Sequence, residues 1–331
     1  MRARNNRKSM SSPESRQKKV ETTEKMPPAW LLLRKEILEQ IPSKLEGLHT
    51  ENVRAFFESF PGIVLNECVI FDEEDLPKLR ELLVPSGLLD EDSLGEKKAD
   101  GCFVAEIRLS LVKRLREYEA ANGTIFTEGL LVHELAHSSS EYAQYIKPSP
   151  TLYATPRVGF SILTEGFATH RGSFLEEGFA DMLRGQYVEE YATDEWKTAT
   201  QIPELGSHCS PNTCVNVTTK IGYQHLLPLK YLFRNPKTQR IGYTTSSPAA
   251  FGMELLARKN DELYPAILSA RHDVESLRDV ARIINDIKPG SYSFLQKLKY
   301  SNEDFERGLR YIIDEIYNGT VRLNEKSEFA D

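Results

Sequence analysis

Two histidines and a glutamate that lie close together in the sequence could do chemistry at a metal ion. They are His133, Glu134 and His137, in the pattern H-E-x-x-H. Residues four positions apart lie on one face of an α-helix, so both imidazoles can reach one zinc ion at about 2.0–2.1 Å. Glu134 lies about 100° around the helix from His133, where its carboxylate can take a proton from a zinc-bound water. The pattern therefore predicts a zinc site with a general base beside it.

The residues around the histidines predict a buried helix, because they include the apolar Leu130, Leu131, Leu135 and Ala136. We expect this metal helix to extend over about residues 128–145, since Pro148 and Pro150 cannot continue it. Two histidines that fall in register by chance are the alternative. Burial disfavours that alternative, because polar groups without partners are costly inside a protein.

A catalytic zinc site needs a third protein ligand. One known continuation, H-E-x-x-H-x-x-G-x-x-H, requires Gly and His at the positions of Ser140 and Ala143, so this chain does not follow it. A glutamate on a second helix is the other solution. Two similar segments offer one, namely T-E-G-F-A around Glu165 and E-E-G-F-A-D around Glu177.

The local sequence favours Glu177 over Glu165. A Ser-x-x-Glu capping box predicts a helix that starts at Ser173 and fades near Tyr191, with Glu177 in its first turns. Glu165 is followed after six residues by an Arg-Gly pair, which leaves too little chain for a stable helix. Asp181, on the same face as Glu177, can accept the second ring N–H of a ligating histidine.

These motifs resemble those of the gluzincin class of zinc metallopeptidases. E-G-F-A is similar to the signature of zinc aminopeptidases, and the spacing from Glu177 to Asp181 is similar to the Glu-x-x-x-Asp of thermolysin-like enzymes. The resemblance covers roughly residues 127–192 and leaves the subfamily open. It implies an α+β, zincin-like metallopeptidase fold that is helix-rich, with a small mixed sheet above the metal helix.

By this resemblance, His133, His137 and Glu177 match the zinc ligands, Glu134 matches the general base, and Asp181 matches the residue that orients a ligand. The implied cofactor is Zn²⁺, and the implied activity is hydrolysis of peptide bonds in a peptide or protein substrate. Whether cleavage is internal or terminal stays open.

A peptidase also needs a donor for the oxyanion and a surface for its substrate. Tyr223 and His225, after a long loop, and Tyr187 and Tyr191, on the Glu177 helix, are candidates for the donor. Zinc peptidases commonly present an edge strand above the metal. Apolar and polar residues alternate over 102–111, which predicts a strand for that role.

The chain divides into four predicted parts. They are a disordered basic tail (1–27), an N-terminal α/β part with the candidate edge strand (28–126), zinc-binding core helices (127–192), and a long loop with C-terminal helices (193–331). The tail carries eight basic and three acidic side chains, hence a net charge of +5, and few apolar residues. Further predicted elements are helices at 30–45, 53–60 (capped by Thr50), 76–84, 251–257, 263–270, 274–284, 294–298 and 305–316, and strands at 63–70 and 153–163.

Composition limits the classes of protein that remain. No run of about 18 apolar residues could span a membrane. The basic N-terminus lacks an apolar segment behind it, and four cysteines do not suggest a disulfide framework, so we expect a cytoplasmic protein. His208, Cys209 and Cys214 could form a second metal cluster, but the partner pair typical of structural zinc sites is missing.

Two other functions stay open at this point. A zincin-fold binding or regulatory protein could keep the metal with little turnover, although a structural site needs no base such as Glu134. A protein that binds nucleic acid through its basic tail is disfavoured, because the tail is short and sparse in aromatic residues.

Overall fold

The computed structural model describes residues 28–60, 67–89, 101–104, 107–139, 157–163, 170–193, 214–216, 227–271 and 276–322. The helices are α1 (Pro28–Gln40), α2 (Thr50–Glu58), α3 (Leu76–Leu83), α4 (Arg116–Asn122), α5 (Ile125–Ser138), α6 (Ser173–Tyr191), α7 (Ser247–Lys259), α8 (Leu263–Ala270), α9 (Ser276–Ile287), α10 (Ser291–Gln296) and α11 (Asn302–Ile316). The strands are β1 (Glu67–Phe71), β2 (Gly101–Val104), β3 (Leu109–Lys113), β4 (Arg157–Val158), β5 (Ser161–Leu163), β6 (His170–Arg171), β7 (Cys214–Asn216), β8 (Leu232–Arg234), β9 (Ile241–Tyr243) and β10 (Thr320–Arg322). The predicted α+β class is confirmed. The five helices predicted over residues 251–316 are also confirmed, and they correspond to α7, α8, α9, α10 and α11.

A three-stranded mixed sheet, in the order β1-β3-β2, packs against α5. Strand β1 is parallel to β3, whereas β2 is antiparallel to it. Because side chains alternate along a strand, Ile70 and Val112 enter the core shared with α5, while Val69 and Leu111 enter a second core with α1 and α3. The small mixed sheet predicted beside the metal helix is therefore present.

The segment 102–111, predicted as one strand, is instead part of a hairpin of β2 and β3. The prediction was wrong because the alternation of apolar and polar residues continues through the turn. Arg108, in that turn, has a φ of 47°, a left-handed conformation that interrupts a strand. In the resulting sheet β3 is the central strand and β2 lies at an edge.

Helix α5 begins earlier than the predicted position 128, and it ends at Ser138. The hydroxyl of Ser138 donates to the carbonyl of Leu135, and that of Ser139 donates to the carbonyl of Ala136. Such bonds satisfy the last carbonyls of a helix in place of a further turn. The rest of the predicted metal helix, 140–145, lies outside the described residues.

Helix α6 has the predicted bounds, but the predicted capping box is wrong. Gly172, with a φ of 83°, is the N-cap, and no side chain caps the helix. A Cβ at Gly172 would lie 2.1 Å from the carbonyl oxygen of Phe160, so only glycine fits there. The side chain of Glu176, which the capping box required, faces buried partners instead.

Three smaller differences from the predictions concern a helix cap, a strand and a loop. His49, not Thr50, is the N-cap of α2, and no side chain caps that helix. The predicted strand 153–163 contains a turn, so that β4 pairs with β5, which in turn pairs with β6. The predicted long loop, 193–247, includes β7 and the hairpin of β8 and β9.

Helix α6 lies in the middle of the main core. It packs against α5 and α7, and α11 packs against α7 in turn. Most of its side chains are buried, including Glu176, Asp181 and Arg184, although its sequence is not predominantly apolar. Among the described helices, none is both long and apolar enough to cross a membrane.

The contact between α6 and α7 leads to a stability prediction. A Cβ at Gly178 would lie 2.9 Å from the backbone oxygen of Ala249 and 2.8 Å from Met253 Cγ. We expect Gly178→Ala to lower the free energy of unfolding by about 1–3 kcal/mol, because backbone cannot yield as a side chain can. Urea unfolding measures this loss. Glu190→Ala, at an exposed position of α6, is the control. A Gly178→Ala protein as stable as the parent would contradict the close contact.

Candidate metal centre

Helix α5 places the two histidines of the H-E-x-x-H pattern side by side. The ring centroids of His133 and His137 lie 4.8 Å apart, with the ring planes at 80°. Their Nε2 atoms are 3.1 Å apart, and both side chains are largely buried. Two N–H groups that faced each other at this distance would repel each other. The arrangement therefore fits rings that present lone pairs toward the space between them.

Helix α6 brings Glu177 to the same place. Its Oε2 lies 3.3 Å from His133 Nε2 and 3.6 Å from His137 Nε2. The two helices approach closely because Gly129 of α5 makes room for Arg184 of α6, whose Cγ would lie 3.1 Å from a Cβ at Gly129. The two histidines and Glu177 are the group of side chains, among the described residues, that could hold a metal ion.

The geometry of these three atoms fits a metal with short bonds. Tetrahedral zinc, with bonds of about 2.0–2.1 Å, separates its ligand atoms by about 3.3–3.4 Å. The three separations here are 3.1, 3.3 and 3.6 Å, so one point lies about 2 Å from all three atoms. Two imidazoles and one carboxylate also form a donor set that catalytic zinc sites use.

The far ring nitrogen of His133 faces Asp181, which the sequence proposed for this position. Asp181 Oδ1 lies 3.4 Å from His133 Nδ1 and 2.7 Å from Arg184 Nε. Its Oδ2 accepts hydrogen bonds of 3.1 Å from the hydroxyls of Thr244 and Ser247. The carboxylate is thus anchored by groups from α6 and from the start of α7.

The far ring nitrogen of His137 has a carboxylate partner that the sequence analysis missed. His137 Nδ1 lies 2.8 Å from Oε1 of Glu176, and the backbone N–H of Phe160 donates to Oε2 at 2.8 Å. A signal was present, because Glu176 falls on the same helix face as the buried Phe179 and Leu183. A charged residue on an apolar stripe requires a buried partner.

Charged neighbours keep these carboxylates ionised. Burial raises the pKa of Glu176, but the charges of Arg271 and His137 outweigh it and lower that pKa to about 2. The pKa of Glu177 is likewise lowered by the two imidazoles despite burial. Despite burial, the same carboxylates raise the pKa of His133 and of His137, so a metal that binds here would use ionised carboxylate and displace protons from the imidazoles.

The side chain of Glu134, predicted as the general base, extends from α5 to the edge strand β2. Its side chain is largely buried, and a Cβ at Gly101 would lie 2.6 Å from its Oε1. The hydroxyl of Ser110, on β3, donates to the backbone carbonyl of Glu134 at 3.3 Å. The sheet therefore holds the helix at Glu134, the residue predicted as the general base.

Two of the four candidate oxyanion donors lie far from this centre. Tyr187 is fully buried, donates to Glu128 at 2.8 Å and stacks on Tyr191. Both follow Glu177 by ten residues or more along α6, which at about 1.5 Å per residue places them about 15 Å or more away. The hydroxyl of Tyr187 is thus occupied by Glu128, and a place on α6 does not by itself bring either tyrosine to the ligand atoms.

Other residues that the sequence analysis singled out fall where the structure gives no position for their side chains. Tyr223, His225, Glu165, His208 and Cys209 lie outside the described residues. Cys214 is in β7, but its side chain is not among those described.

No family, curated protein or solved structure matched the chain when it was compared with known proteins. The interpretation of the site therefore depends on its own residues.

The contact between Gly101 and Glu134 can be tested by stability alone. Gly101→Ala should lower the free energy of unfolding by about 1 kcal/mol, because the added methyl group displaces a flexible side chain rather than backbone. Most of that loss should disappear when Glu134→Ala removes the carboxylate. Urea unfolding of the double-mutant cycle measures the coupling.

Val104→Ala, three positions further along β2, is the control. Val104 is apolar and packs in the second core, on the other face of the sheet, so its substitution should show little coupling to Glu134→Ala. Independent effects of Gly101→Ala and Glu134→Ala would contradict the contact.

Proposed function

We propose that this chain is a zinc-dependent peptidase with a zincin-like fold. The observation that carries the proposal is the group of donor atoms from His133, His137 and Glu177, which converge from two helices with the spacing of a tetrahedral site. Three protein ligands leave one coordination position for water or substrate, as a catalytic site needs. Buried carboxylates behind both histidines fix the rings, which is typical of metal-ligating imidazoles.

The zinc ion, when bound, would polarise a carbonyl group and lower the pKa of a water molecule to about 7. Glu134 would take the proton of that water and deliver it to the leaving amine. Its position is supported by the contact with Gly101, which leaves no space for a larger residue between the carboxylate and β2. Held in this way, the base needs little reorganisation during the reaction.

The edge strand β2 supports a peptide as the substrate. Strand β2 pairs with β3, and none of the other described strands pairs with it. An extended peptide can add to such an edge through main-chain hydrogen bonds. Because Glu134 lies against Gly101 of this strand, a peptide bound there would run past the base. Tyr223 and His225 remain the candidates for the oxyanion donor.

Glu134→Gln separates catalysis from metal binding. The amide keeps the size of the side chain but cannot accept the proton, so we expect kcat to fall by a factor of about 10²–10⁴ while one zinc ion still binds. Zinc content by elemental analysis and cleavage of a peptide library with and without a chelator measure the two properties. An unchanged cleavage rate would exclude Glu134 as the base. Zinc binding by a parent protein that cleaves no peptide would favour the alternative of a binding or regulatory protein.

Glu177→Ala should instead abolish tight zinc binding, because two imidazoles alone hold the ion weakly. Glu165→Ala is the matched control, since it removes the glutamate of the similar T-E-G-F-A segment. Elemental analysis of both variants after dialysis is the measurement. Loss of zinc from Glu165→Ala, with zinc retained by Glu177→Ala, would show that the ligand is assigned to the wrong segment.

A further inference from the structure

A fully buried arginine lies behind the candidate metal centre. Arg271, directly after α8, donates from Nη1 to Glu176 Oε2 and from Nη2 to Glu176 Oε1, each at 3.0 Å. Its guanidinium also lies over the ring of Phe179, with 4.4 Å from Cζ to the centroid. Planar, bidentate contacts of this kind fix a carboxylate in orientation as well as in position.

The same guanidinium contacts the end of the metal helix. Nη2 of Arg271 donates to the carbonyl oxygen of Ala136. That carbonyl, which also accepts from the hydroxyl of Ser139, belongs to the last turn of α5, where the helix dipole concentrates partial negative charge. A cation there stabilises the helix terminus, and this terminus carries His137.

The contacts form a chain that ends at a candidate ligand. Arg271 binds Glu176, and Glu176 binds Nδ1 of His137, whose Nε2 faces Glu177. A buried ion pair is costly, and apolar residues of similar volume often give equal stability. Stability alone therefore does not explain an arginine at this position, whereas control of the His137 ring does.

We propose that Arg271 is a positioning residue for the metal centre: it fixes Glu176 and the end of α5, and thereby sets the orientation of the His137 ring toward the ion. This inference rests on the proposed metal site but assigns it a residue from a distant part of the chain. His133 has no such distant arginine among the described residues. Its carboxylate partner, Asp181, pairs with Arg184, which lies on α6 itself.

The test is the affinity of the full-length protein for Zn²⁺, measured by competition with a chromophoric chelator. Arg271→Met removes the charge and the hydrogen bonds but keeps an apolar stem, and we expect it to weaken zinc binding about 10–100-fold. Arg271→Lys keeps the charge but not the planar, bidentate guanidinium, so its affinity for Zn²⁺ should lie between that of the parent protein and that of Arg271→Met. Arg282→Met is the control, because Arg282 is an exposed arginine of α9 that pairs only with Asp279 and Asp286 among the described residues.

A second measurement separates positioning from a general loss of structure. If Arg271 acts through Glu176, Arg271→Met should change zinc affinity by less than about threefold in a Glu176→Gln background. Full additivity of the two substitutions would overturn the proposal. Circular dichroism checks folding, and Arg271→Lys carries the test if Arg271→Met does not fold.

The outcomes distinguish the two proposals. A parent protein that binds no zinc contradicts the proposed function. A parent protein that binds zinc, with equal affinity in the Arg271 variants, contradicts only the role of Arg271.

Discussion

Compensation of buried negative charge on α6 is the constraint on which the rest of the site depends. Glu176, Glu177 and Asp181 lie within two turns of one helix, and an ionised carboxylate without partners is costly inside a protein. Glu176 and Asp181 each pair with a buried arginine. Glu177 differs, because its partners among the described residues are the two imidazoles. A divalent cation would supply the opposite charge where no arginine does.

The partners of these carboxylates explain why distant segments fold onto the site. The hydroxyls of Thr244 and Ser247 hold Asp181 from the start of α7. Arg271 holds Glu176 from the end of α8, and the backbone of Phe160 holds it from the turn between β4 and β5. The C-terminal helices therefore contribute to the orientation of both histidines, and a change far along the chain can alter the candidate metal centre.

The mixed sheet contributes the other side of the site. Its central strand β3 holds α5 through Ser110, and its edge strand β2 contacts the Glu134 carboxylate at Gly101. Glu134, the proposed base, and the edge strand thus share one contact. This arrangement links the chemistry proposed for Glu134 with the surface proposed for the substrate, and it makes a glycine part of the site although glycine has no functional group.

The sequence by itself determined what depends on local spacing. The i, i+4 pair of His133 and His137, the α+β class and most helices follow from periodicity within about twenty residues. Only the tertiary structure decided that Glu176 stands behind His137 and that Arg271 stands behind Glu176. Arg271 lies 95 residues from Glu176, and local pattern carries no information on a contact at that distance. For the same reason the position of Tyr187 on α6 did not show that its hydroxyl donates to Glu128 of α5.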